Sequence, residues 1–135
     1  MSEQPIVAPT RILMSFTAVT LGMFGVAATF GPDVVLGQMG EPITPLLLVI
    51  VQLIGALYLG FAMLDWMARD NLIGGIYSRP VAIGNLVHFV VAGLAMIKAI
   101  ATTPGLRYLW PIAAVYAALA MCFGIIIFRH PVRTT

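Results

Sequence analysis

Four stretches of this chain, residues 12–30, 43–64, 80–97 and 108–128, contain no Asp, Glu, Lys or Arg. About 20 consecutive apolar residues let an α-helix cross the roughly 30 Å hydrocarbon core of a bilayer. The pattern therefore predicts an all-α membrane protein with four transmembrane helices, at about 11–30, 43–68, 80–102 and 107–129. Composition argues against a soluble fold. Charged residues are 9% and hydrophobic residues 61%, against roughly 25% charged in soluble domains, and a small domain has too much surface to cover with so few charges. At 135 residues, one transmembrane domain over 1–135 is expected. The run 80–97 is the shortest, and it reaches Thr102 if Lys98 snorkels outward. The first run exceeds the core of a cleaved leader and is preceded only by Arg11, offset by Glu3, so it reads as a retained span.

Punctuation agrees with hydropathy. Thr10 reads as the cap of the first helix, which stops at Gly31-Pro32. Residues 33–41 read as a loop lying in the interface or folded onto the helices. Thr44-Pro45 has the N-cap and N1-proline form of a helix start. Gly74-Gly75 turns the second connection, and Pro104-Gly105 closes the third helix. Every proline falls outside a proposed helix or in its first turn, as its missing N–H requires. With four spans, Arg11, Arg69, Arg79, Arg129 and Arg133 share one side, and Lys98 and Arg107 lie on the other. Basic residues favour the cytoplasm, so both termini are expected there. The membrane is the inner, cytoplasmic one if the source is bacterial.

In lipid, apolar side chains gain nothing by leaving the bilayer for each other, so close backbone approach and interhelical hydrogen bonds drive association. Small residues at three- and four-residue steps then mark contact faces: Gly22 and Gly25, Ala56 and Gly60 in line with Gln52, Ala92, Ala117 and Gly124. Their spacing predicts a four-helix bundle with left-handed packing.

His88 falls near the middle of the third run with Asn85 on the same face, and an ionisable residue at such depth is a functional candidate. Gln52, Tyr58 and Tyr116 lie at comparable depth, so the five form a candidate ligand pocket between helices. The alternative is a neutral histidine and interhelical hydrogen bonds serving as packing glue. Asp65 and Arg69 read as an i,i+4 pair at the membrane surface, Arg79 as a headgroup anchor, and Cys122 as buried and inert. No nucleophile–base pair or phosphate-cradling loop is recognisable, and a non-enzymatic role is favoured. No metal is expected, since zinc needs three or four ligands and His130 sits at a helix end, far in depth from His88. A lone cysteine forms no internal disulfide, and a net charge of +2 without a basic cluster gives no nucleic-acid footprint.

The chain resembles the DoxX-like group of small four-helix membrane proteins. The resemblance rests on Phe30-Gly31-Pro32-Asp33 followed by Gly37 and Gly40, on the segment from Gln52 to Phe61, on Gly74-Gly75, and on the four-span layout. It implies membership of a group partly linked to quinone or thiol-redox systems. A single cysteine lacks what a thiol role needs, and no catalytic residue carries over. Two readings lead. One is a structural or accessory subunit packing with copies of itself or with other membrane proteins. The other is a lipid- or quinone-binding bundle with a polar pocket around His88; without it, no cofactor is expected. A proton or small-solute pathway is a third.

Overall fold

The computed structural model describes residues 7–70 and 79–129. The Gly74-Gly75 turn, His130 and Arg133 lie outside the described residues. Among the described residues, all regular structure is helical: α1 Val7–Phe30, α2 Pro32–Met39, α3 Pro45–Ala68, α4 Arg79–Thr102, a 3-10 segment Pro104–Leu109, and α5 Trp110–Arg129. Four segments are long and apolar enough to cross a membrane: Pro9–Phe30, Pro45–Ala68, Arg79–Thr102 and Pro104–Phe128. A 24-residue helix such as α3 is about 36 Å long, enough to span with some tilt. The protein is a small multi-pass membrane protein.

Three expectations about element boundaries are corrected. First, α1 begins at Val7, so Thr10 is not its cap but a buried residue inside its first turns. Pro9 permits this because a first-turn residue has no intrahelical acceptor for its N–H. Second, residues 33–41 are not a plain loop. Pro32 starts α2, and Asp33 in its first turn complements the helix dipole. Gly40 ends α2 at φ +73°, a conformation that favours glycine. There the N–H of Glu41 donates to Leu36 O at 3.1 Å and that of Gly40 to Gly37 O at 3.2 Å. Pro32 and Leu36 are buried, and α2 packs on α3.

Third, the last span opens with the 3-10 segment rather than with α-helix near Arg107. Pro111 has no N–H to give the carbonyl of Arg107, and the N–H of Trp110 takes that carbonyl instead, tightening the turn. Thr44, by contrast, caps α3 as its sequence predicts: its Oγ1 accepts from the N–H of Leu47 at 3.3 Å, with Pro45 in the first position.

The chain divides into two compact units, Arg11–Asp70 in one and, of the described residues, 7–10 and 79–129 in the other. In the first, α1 and α3 run antiparallel. Gly22 faces Ala62, and Gly25 faces Leu59 and the carbonyl of Gly55. A Cβ built on Gly55 would stand 2.5 Å from Thr29 Oγ1 and 2.7 Å from the Thr29 nitrogen, and one on Gly25 would stand 2.9 Å from the Leu59 nitrogen. The two backbones meet where neither glycine has a side chain. In the second unit, α4 and α5 pack through larger groups, with Ala82, Asn85, Phe89 and Gly93 buried on α4 and Ala113, Tyr116, Leu119 and Phe123 buried on α5.

Candidate functional site

In residues 79–129 the polar candidates sit within an aromatic cluster. Phe89 is fully buried, 5.1 Å from Tyr116 in an edge contact and 5.9 Å from Phe123 in a near-parallel one, centroid to centroid. The His88 ring lies 5.2 Å from Phe89 and 5.6 Å from Tyr116. Gly93 lies beside this cluster, and a Cβ there would sit at an ordinary contact distance, 3.7 Å, from that of Tyr116. Gly124 faces Leu86 in the same way, at 3.8 Å. Ala92 and Ala117 are half-buried. Asn85 is fully buried one turn before His88, and its Nδ2 donates to Val81 O at 3.0 Å, a bond within its own helix. His88 and Tyr116 are thus neighbours in a tilted ring contact, and each meets Phe89 edge-on.

In Arg11–Asp70, Gln52 is exposed and donates from Nε2 to Thr29 O at 3.4 Å. That carbonyl belongs to the last turn of α1, where no intrahelical N–H is available, so Gln52 serves as a cap for the neighbouring helix. Tyr58 is half-buried on α3. Ala56 and Gly60, expected at contacts, are exposed, and a Cβ on Gly60 would meet open space. The buried residues of α3 are instead Gly55, Ala62, Asp65 and Ala68. Cys122 is also exposed, contrary to its expected burial.

Asp65 departs from the surface pair with Arg69 that its spacing predicts. It is fully buried rather than at the surface, and Arg69 turns to Asp70 instead. Asp70 bridges two arginines, with Oδ1 at 3.1 Å from Arg11 Nε and Oδ2 at 3.5 Å from Arg69 Nε. Arg69 Nη1 also donates to Trp66 O at 2.8 Å, and its guanidinium carbon stands 3.9 Å over the Trp66 ring. The physical reason is direction. Asp65 shares the inward face of Ala62, whereas a guanidinium keeps its charge at the polar end of the helix, where Asp70 is. The available signal was the line Gly55, Ala62, Asp65 along one face, which a reading of the stripe Gln52, Ala56, Gly60 passes over. A buried carboxyl group in a span is costly to keep and marks a functional candidate. Thr17, also fully buried, adds a hydroxyl with no hydrogen-bond partner among the described residues.

Compared with family models, curated proteins and solved structures, the chain finds no match.

Proposed function

We propose that this protein is a structural membrane subunit that assembles with copies of itself through α3. The observation that carries the reading is the exposed line Gln52, Ala56, Gly60 on α3, whose most apolar 18-residue stretch is the least covered of the four spans, with 6% of it buried. Lipid is met as well by large side chains as by small ones, but only small ones let two backbones approach. A small-residue line is also self-complementary about a two-fold axis, so a second copy is its simplest partner. The contact is near-parallel and left-handed, and both termini face the cytoplasm, where Arg11, Arg69 and Arg79 meet the headgroups.

The test is Gly60→Leu, with chemical cross-linking in native membranes and native mass spectrometry in mild detergent. Wild type is expected as a fixed oligomer and the variant as a folded monomer. A strictly monomeric wild type, a stoichiometric foreign subunit in place of a second copy, or an oligomer unchanged by Gly60→Leu would sink the idea.

The second reading, a lipid- or quinone-binding protein, is supported by Asn85, His88 and Tyr116 lying within one helix pair. It expects a hydrophobic small molecule retained on purification and lost in His88→Leu. The rings that pack His88 support a structural role for it instead, and a purified protein carrying no such molecule removes this reading.

A further inference from the structure

Between α1 and α3 an open groove of about 230 Å³ is lined by Ala18, Val19, Leu59, Ala62, Met63 and Trp66. Its floor is small and buried, Ala18 and Ala62. Its rims stay exposed, with Val19 at 53%, Met63 at 62% and Trp66 at 47%. All six side chains are carbon-rich, and both helices are membrane spans. From Trp66 to Leu59 the groove runs along the helix for about 10 Å, from the end of α3 toward the bilayer interior.

The polar end of the groove is built differently. Trp66 lines it, the Arg69 guanidinium lies on the Trp66 ring, and Arg11 completes the cluster through Asp70. Among the described residues, Arg11 and Arg69 share the exposed carboxylate of Asp70, and this surface cluster of three carries one net positive charge at the end of an apolar groove. The Arg11 side chain remains 61% exposed. The ring and Asp70 hold Arg69 in place, so its free N–H groups are presented with little ordering left to lose. An arginine cluster beside an apolar channel matches a phosphate beside an acyl chain.

We propose that this groove binds one phospholipid with an anionic headgroup, its acyl chain along Ala18, Ala62 and Leu59 and its phosphate on Arg69 and Arg11. The site is separate from the Gln52–Ala56–Gly60 line and does not depend on assembly. One net basic charge at a membrane surface confers about a five-fold preference for anionic over zwitterionic lipid.

The chain has two tryptophans, so Trp110→Phe leaves Trp66 as the sole emitter. This protein is reconstituted in phosphatidylcholine vesicles containing an equal, small fraction of brominated phosphatidylglycerol or of brominated phosphatidylcholine, and quenching of Trp66 is measured. The expected result is an apparent affinity about five-fold higher for the brominated phosphatidylglycerol. Arg69→Gln and Arg11→Gln should each bring the ratio close to one, and Arg69→Lys should keep most of it. Arg79→Gln, which removes an exposed cation that does not line the groove, should leave it unchanged. Circular dichroism checks that each variant is folded, and Arg11→Gln carries the test if Arg69→Gln does not fold. Equal quenching by both lipids overturns the proposal. So does an equal loss in Arg79→Gln, or a Trp66 shielded from both lipids by a second copy of the chain.

Discussion

The two helix pairs solve one problem in opposite ways. In a bilayer neither pair is driven together by expulsion of water, so each depends on close packing. The α1/α3 pair obtains it by removing side chains: Gly25 and Gly55 bring backbone within reach of backbone. The α4/α5 pair obtains it by interlocking large ones, with Phe89 set between Tyr116 and Phe123. The first arrangement has no slack for an added atom. The second tolerates changes of shape and suffers from loss of volume.

The largest effect should come from adding bulk at the tightest point. Gly55→Leu must push past the Thr29 backbone and is expected to cost at least about 3 kcal/mol, the upper range for overpacking. Thermal unfolding in detergent, followed by circular dichroism, would show it; an unchanged midpoint would mean that the helices do not cross there. Next is Phe89→Ala, expected to cost about 2–3 kcal/mol. This is below a soluble core's loss because lipid already solvates the missing ring in the unfolded reference, leaving mainly the cavity. Phe89→Leu should recover more than half of that loss, whereas Gly55→Ala should still be clearly destabilised, and this contrast separates the two kinds of packing. If both conservative variants behave alike, the distinction fails.

Thr44→Ala should cost about 1 kcal/mol through loss of the α3 cap, with Thr44→Ser restoring it. The smallest effect is expected at Gly60, where Ala should change the stability of the separated subunit by less than about 0.5 kcal/mol. A larger loss would show that this face is already packed within the chain.

Spans were legible because each residue votes independently: hydropathy adds along a run, and proline acts through its own missing N–H. The start of α3 at Thr44-Pro45 and the end of α4 at Thr102 follow from such local terms. The helix α2 was harder to see, because eight residues give little periodicity and its Gly40 cap shows only as a conformation. The His88–Tyr116 neighbourhood was partly legible, since both residues interrupt apolar runs at matching depth. Asp65 was not, because a residue near a span's end points inward or outward by a rotation of one helix position, and hydropathy is blind to that rotation.

By itself the sequence determined that this protein is helical, that it carries four membrane-length segments, and where its prolines allow helices to start. Those properties come from short-range sterics, backbone hydrogen bonding and the cost of bare peptide groups in hydrocarbon. Only the tertiary structure decided that Gly55 rather than Gly60 is buried, that Asp70 rather than Asp65 holds Arg69 and Arg11, and that Trp66 borders a groove ending in charge. Each of these depends on which face of one helix meets another, and small residues lie on more than one face of α3, so only packing against a neighbour selects between them.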